Sequence, residues 1–187
     1  VYGAKDNWMY YSDPEENTAN RKLHTPRGKV LGGSSSINGM LYVRGNRADY
    51  DGWAQGGCRG WSYDEVLPLF RRAETYLQGG DPKFRGQGGP LKVEDYRTIL
   101  PLTHMFVEAA QQAGFDFTPD PNGANQEGVS YSQMTRKGRV RGSTYRTYVS
   151  ALPPEKRANL TVIPNALVRR LTFEGKRCTG VEYAVGR

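Results

Sequence analysis

A chain of 187 residues with 26 Lys+Arg against 19 Asp+Glu carries a formal charge of +7, and its 12 Tyr, 6 Phe and 3 Trp are the aromatic content of a folded protein. Two cysteines and two histidines exclude a disulfide framework and a Cys/His metal cluster, and no window resembles a transmembrane span or a signal peptide. The basic excess could serve nucleic acid or an anionic small molecule, but it is not gathered into one long tract.

In chain order, residues 1–27 read as irregular, with "DNWMYY" extended around positions 8–11 and "SDPEENTANR" rich in turns. The stretch "GKVLGGSSSINGMLYVRG", residues 28–45, sets two glycines, three serines and an asparagine between apolar flanks. The flanks look buried, so the small residues are expected inside the protein rather than in a linker. "ADYDGWA" and "GGCRGW" read as surface structure punctuated by glycines. A helix is predicted from Ser62, where Ser62 and Glu65 have capping-box spacing and Val66, Leu67, Phe70 and Ala73 supply one face. Pro68 lies within that pattern and is expected to offset or kink it.

"GGDPKFRGQGG" is a loop and "PLKVED" a short strand. A second helix is predicted through "PLTHMFVEAAQQAG", with Leu102, Met105, Phe106, Ala109 and Ala113 near helical spacing and Gly114 as its stop. "VSYSQMTRKGRVRG" fits a hairpin or two extended pieces around Lys137-Gly138, and "STYRTYVSAL" starts at a Ser143 or Thr144 cap. Three strand-like segments end the chain, "NLTVIPNA", "LVRRLTFEG" and "KRCTGVEYAV", with Glu174-Gly175-Lys176 turning between the last two.

A run such as Gly32-Gly33-Ser34-Ser35 lets the backbone approach another group with no Cβ in the way, and offers amides and hydroxyls to an anion. A tightly packed structural turn would use the same residues, so ligand contact and turn stay open on these grounds. It is not a phosphate-binding P-loop, because Lys29 precedes the glycines and no Gly-Lys-Ser/Thr follows. The densest basic cluster, Arg136, Lys137, Arg139, Arg141 and Arg146, has Tyr131, Tyr145 and Tyr148 nearby. That mixture can bind single strands of nucleic acid, but a solvated or domain-contacting surface is the preferred reading.

"RGKVLGGSSSINGMLYVRGNRADYDGWA", residues 27–54, resembles the first signature of the glucose–methanol–choline family of flavoprotein oxidoreductases. The resemblance continues in order through "GWSYDEVLPLFRRAE", "GGPLKVED", "DPNGANQEG", "GRVRGSTYRTYV" and "NLTVIPNALVRRLTFEGKRCTGVEY". It implies an α/β protein, α+β in part: a portion of an FAD-binding Rossmann-like domain with part of a mixed α+β substrate-binding domain. Residues 1–60 would be an FAD-domain segment, 61–158 a partly helical segment of the substrate domain and cap, and 159–187 a β-meander returning to the FAD domain.

The implied activity is FAD-dependent oxidation of an alcohol CH–OH to a carbonyl, with oxygen or another electron acceptor. Lyases and a decarboxylase share the scaffold, and a non-catalytic piece with a basic binding surface is the further alternative. Carried over by position, FAD would meet Arg27, Leu31, Gly32, Gly33, Ser34, Asn38, Gly39, Met40 and Leu41, with Val168 at the adenine. Some members attach the flavin to a histidine near this segment. Here Ile37 precedes Asn38 and no histidine lies between positions 32 and 47, so the resemblance implies non-covalent FAD.

The family's Gly-x-Gly-x-x-Gly turn would precede Val1 and its catalytic histidine would follow Arg187. The chain is therefore expected to be an internal part of a longer enzyme, with no catalytic residue of its own, no metal, and the remaining segments as its partners. A small alcohol substrate is expected, no nucleic-acid partner, and a cytoplasmic location. His24 and His104 match no catalytic role, and His104 is expected to pack or face solvent on its helix.

Overall fold

The computed structural model describes residues 5–186, which fall in two compact units, Val1–Ala151 and Leu152–Arg187. Both mix or border helix and strand, so the α/β character read from the sequence holds.

In the first unit a short antiparallel pair, β1 (Tyr10–Tyr11) and β2 (His24–Thr25), closes the entering chain. Buried Asn7 holds it there, its Oδ1 accepting the N–H groups of Met9 and Arg27 at 3.1 Å each. Helix α1 (Arg47–Gln55) follows the glycine-serine stretch. The sequence reading of this segment as glycine-punctuated surface holds, since no residue of α1 is buried, and the structure adds that the segment is helical. Asn46 accepts from the Ala48 N–H at 2.9 Å while Asp49 accepts from the Asn46 N–H at 2.9 Å. This Asn/Asp version of the capping box nucleates a helix that tolerates Gly52 in its interior.

Helix α2 (Tyr63–Ala73) starts where predicted and runs on through Pro68. The Glu65 carboxylate accepts from both the N–H and the hydroxyl of Ser62, at 3.0 and 2.5 Å. Tyr63 and Val66 are its buried face. The helix leads directly into β3 (Glu74–Tyr76), which pairs in parallel with β4 (Leu91–Asp95), and β4 pairs antiparallel with β5 (Gln133–Met134). The intervening loop folds hard against the end of α2. A Cβ on Gly86 would stand 2.0 Å from the Arg71 carbonyl oxygen, so only glycine lets the two backbones meet.

The apolar core of this unit is small: Tyr63, Val66, Tyr76, Val93, Val107 and Met134. Helix α3 (Pro101–Gln112) has the proline at its first turn. It buries Val107 while Leu102, Met105 and Phe106 are 74%, 62% and 68% exposed. Of the hairpin and the two extended pieces that the sequence allows, the hairpin forms, as β6 (Arg136–Lys137) with β7 (Val140–Arg141), turning at Gly138 with φ +59°. A π-helical turn, Tyr145–Ser150, follows, with the Ser143 Oγ accepting from the Arg146 N–H at 3.3 Å.

The second unit holds one turn of helix, α4 (Pro154–Arg157), and a long antiparallel hairpin of β8 (Ala166–Glu174) and β9 (Arg177–Val185) around Gly175. The predicted meander has three strands and the structure has two. Residues 160–163 are irregular, with Leu160, Val162 and Ile163 exposed. Their β-rich composition makes no strand here, because a strand needs a neighbouring ladder and no described strand lies beside them.

Candidate functional site

Residues 30–33 close a tight turn, with the Gly33 N–H on the Val30 carbonyl at 2.8 Å and positive φ at Gly32 (+89°) and Gly33 (+55°). One 3-10 turn, Gly33–Ser36, follows. All three serine hydroxyls are engaged by this chain. Ser34 Oγ accepts from the Gly28 N–H at 3.2 Å, and Ser36 Oγ donates to the Leu31 carbonyl at 2.8 Å. Ser35 Oγ donates to the Gly32 carbonyl at 2.5 Å and accepts from the Thr144 N–H at 2.9 Å. Thr144 also donates its hydroxyl to the Gly32 carbonyl at 3.1 Å, which is why it does not cap the π-helical turn.

The far side of the loop is stitched to the segment that carries β5, β6 and β7. The Asn38 N–H bonds to the Ser34 carbonyl at 2.8 Å, and the Met40 carbonyl accepts from the Thr135 N–H at 2.8 Å. Leu41 bridges to Met134, and the Tyr42 N–H meets the Gln133 carbonyl at 2.9 Å. The guanidinium of Arg141 donates through Nη1 to the Asn38 carbonyl at 2.8 Å, to Asn38 Oδ1 at 2.9 Å and to the Ser35 carbonyl at 3.3 Å. Met40 is held at φ +64°, an uncommon conformation for a residue with a side chain. The loop is thus a pinned element, which favours a built surface over a mobile linker.

Nine of the ten residues singled out from sequence share this stretch. Gly32, Gly33, Ser34 and Met40 are half-buried, and Leu31, Asn38, Gly39 and Leu41 are exposed. Arg27 is exposed too, its guanidinium turned onto the Pro26 carbonyl at 3.1 Å. Val168 belongs to the second unit, on an exposed position of β8 opposite Tyr183.

The glycines of the loop divide by what surrounds them. A Cβ on Gly28 would lie 2.3 Å from the Gly33 carbonyl oxygen, and one on Gly32 would lie 2.6 Å from Ser36 Oγ. At Gly33 and Gly39 an added Cβ would meet nothing within 4 Å. Gly39 also has no positive φ. Nothing in the described chain calls for glycine there, and a bare backbone at that point suits the close approach of an external group.

Beside this loop lies a buried ionic network that the sequence reading misses. Glu74 Oε1 accepts from Arg44 at 2.6 Å, from Arg85 at 2.9 Å and from the Gly86 N–H at 2.9 Å. Arg85 continues to Asp120 Oδ1 at 2.5 Å and Gln133 Oε1 at 2.8 Å, and its guanidinium stacks 3.7 Å from the centre of the Tyr76 ring. Asn122 donates to Gln133 Oε1 at 2.8 Å and accepts from the Arg44 N–H at 2.8 Å. Two arginines balance two carboxylates and every group is bonded, so the network ties Arg44, at the end of the glycine-serine stretch, to β3, β5, the 81–89 loop and the turn at 120–122. Burial, and the bond from its hydroxyl to Asp95 at 2.7 Å, push the Tyr76 phenol well above its ordinary range. The only early hint was an arginine before glycine in "VRG" and "FRG", too weak to reveal partners so far apart in the chain.

The remaining polar candidates are occupied locally. His104 bonds through Nδ1 to the Tyr131 hydroxyl at 2.7 Å on the exposed side of α3, and the His24 ring lies 5.0 Å from that of Tyr11. Within the basic cluster, Arg136 pairs with buried Glu94 at 2.7 Å and Arg141 serves the loop as described. Among the described residues no three His, Cys, Asp or Glu side chains gather as metal ligands.

The model of the family described as GMC oxidoreductase matches residues 15–187. An oxygen-dependent choline dehydrogenase from Brucella ovis is 48% identical over 180 residues, which are 96% of this chain and 32% of that protein. Pyridoxine 4-oxidase from Mesorbium loti superposes with a TM-score of 0.85 at 31% identity, over 96% of this chain and 35% of its own. An FAD-dependent oxidoreductase from Chaetomium thermophilum does so with a TM-score of 0.83 at 29% identity, over 95% of this chain and 33% of its own. The chain thus spans about a third of the length of the curated relatives it matches. With the family model covering nearly all of it, from the glycine-serine loop through the final hairpin, this chain belongs to the GMC oxidoreductase family.

Proposed function

We propose that this chain is the portion of an FAD-dependent oxidoreductase that lies along the cofactor in an enzyme oxidising the CH–OH group of a small alcohol to a carbonyl. The observation that carries the site is the open backbone at Gly33 and Gly39 on a loop pinned from behind by Ser35, Thr144 and Arg141. Such a surface fits a large planar and anionic cofactor: it is rigid, free of Cβ atoms where approach is closest, and has Arg27 exposed beside it.

In this reading Arg27, Leu31, Gly32, Gly33, Ser34, Asn38, Gly39, Met40 and Leu41 line FAD, and Val168 meets its adenine end. Residue 37 is isoleucine, which offers no attachment atom, so the cofactor is held non-covalently. When bound, FAD supplies the two-electron acceptor that takes hydride from the alcohol carbon. This chain's residues bind and orient it, and the proton-accepting base comes from further segments of the same enzyme.

Choline, the substrate in the relatives' name, is the first alcohol to try, and oxygen the first acceptor. The exposed free thiols Cys58 and Cys178 suit a reducing compartment, and we place the enzyme in the cytoplasm. No helix among the described residues is long and apolar enough to cross a membrane.

The test is the visible spectrum of the purified full-length protein, followed by anaerobic addition of alcohols. Bleaching of a bound flavin band by a small alcohol is the expected result, with the flavin released on denaturation. Full-length protein that takes up no FAD would overturn the proposal. FAD that survives denaturation attached to the polypeptide would overturn the non-covalent part alone.

A further inference from the structure

The Asn38 side chain is held by a neighbour and by a distant residue together. Its carboxamide oxygen is taken twice, by the Met40 N–H at 3.1 Å and by Arg141 Nη1 at 2.9 Å. Both partners are obligate donors, so the amide cannot be turned over: a flip would set its NH₂ against an N–H and a guanidinium. The oxygen is therefore turned toward Met40 and Arg141, and the NH₂, which makes no hydrogen bond among the described residues, points away from them on an exposed residue. Arg141 is well placed to enforce this, since the same Nη1 also grips the carbonyls of Asn38 and Ser35.

From this geometry we infer that Arg141 is a positioning residue that locks the Asn38 carboxamide with its NH₂ outward, as a hydrogen-bond donor to an acceptor atom of FAD. The inference rests on the cofactor reading above. It turns Asn38 from a group able to donate or accept into a donor only. It also takes Arg141 out of the basic surface and gives it a role that no feature near it in the sequence announces.

The discriminating substitution is Asn38→Asp. A carboxylate keeps both inward bonds and improves the one to Arg141, so the loop keeps its shape, but the outward donor becomes an anionic acceptor. FAD binding to the full-length apoprotein, followed by quenching of flavin fluorescence, is expected to weaken about tenfold or more, with apoprotein unfolding unchanged or shifted to higher denaturant.

A double-mutant cycle isolates the arginine. Arg141→Ala should weaken FAD binding several-fold in the wild-type background and add less than about twofold once Asn38→Ala is present. An arginine that merely braces the loop through the two carbonyls would cost the same in both backgrounds, and that result would overturn the proposal, as would wild-type affinity in Asn38→Asp. Should the aspartate variant fail to fold, the cycle decides alone. Wild-type protein that binds no FAD sinks the cofactor reading and this inference together, whereas wild-type protein that binds FAD beside unaffected variants sinks only the inference.

Discussion

Gly28 and Gly33 are the same residue type for opposite reasons. At Gly28 the constraint is inside the fold, where a methyl group would press 2.3 Å from the Gly33 carbonyl oxygen. Gly28→Ala should therefore cost about 1–3 kcal/mol of stability in denaturant titration, and an unchanged midpoint would remove the close approach. At Gly33 the space is open and the backbone is left-handed. Gly33→Val should strain the chain by about 1–2 kcal/mol and obstruct whatever approaches from that side. Ser34→Ala removes only the acceptor for the Gly28 N–H, roughly 0.5–1.5 kcal/mol. FAD content per chain should thus fall further in Gly33→Val than in Ser34→Ala, with circular dichroism confirming the fold; full occupancy in folded Gly33→Val would return the loop to a structural turn.

The ionic network offers a larger residue-scale effect. Glu74→Ala leaves buried Arg44 without a carboxylate and Arg85 with Asp120 alone, and should cost about 3–5 kcal/mol; a loss below 1 kcal/mol by urea unfolding would mean that water reaches the arginines. Tyr76 adds a pH dependence. Its phenol is raised by burial and by Asp95, so above pH 10 the unfolded chain releases the tyrosine proton before the folded one does. The linked stability is complete below the ordinary tyrosine value of 10.0 and is lost as pH rises beyond it. The fall in unfolding free energy from pH 9 to 11 should be shallower in Tyr76→Phe than in wild type, and equal slopes would detach Tyr76 from it.

Among elements, α2 was legible because its start signal is local. Ser62 and Glu65 are three residues apart and need nothing else to meet. Ser62→Ala should cost about 1 kcal/mol, and equal unfolding free energies would dismiss the cap. The Ser62 hydroxyl and N–H hold the Glu65 carboxyl below its ordinary range, so this support is present above that range and disappears as pH falls through the depressed value. Helix α1 has an equally local signal, yet it was missed because its box is written with Asn46 and Asp49 and its body contains glycine. Residues 160–163 failed in the other direction. Their composition suits a strand, but strand identity is a property of a pair, and the pairing partner is a tertiary matter.

At the scale of the molecule, each of the two units leaves large apolar side chains in the open. Leu102, Met105 and Phe106 on α3, and Leu167, Leu171 and Phe173 on β8, are all exposed. A hairpin with open apolar side chains is marginal in water. We therefore expect residues 1–187 produced alone to bind a hydrophobic dye and self-associate, while the full-length protein does neither. A monodisperse 187-residue species with one cooperative unfolding transition would refute this.

What the sequence determined by itself was whatever depends on neighbours a few residues away. The cap at Ser62, the turns at Gly138 and Gly175 and the helix stop at Gly114 are all of this kind, since their physics is short-range backbone geometry, whereas the flanks of the glycine-serine loop, expected to be buried, leave Val30, Leu31, Leu41 and Val43 exposed. Tertiary structure alone decided where the polar groups point. The three serine hydroxyls, which the sequence leaves open between an anion and a structural turn, bond to their own backbone and to Thr144. Arg141 left a basic cluster to hold Asn38, and Arg44 and Arg85 went inward to Glu74. A buried or half-buried hydrogen-bonding group must find a partner, but which one it finds depends on segments that the chain brings together only after it has folded.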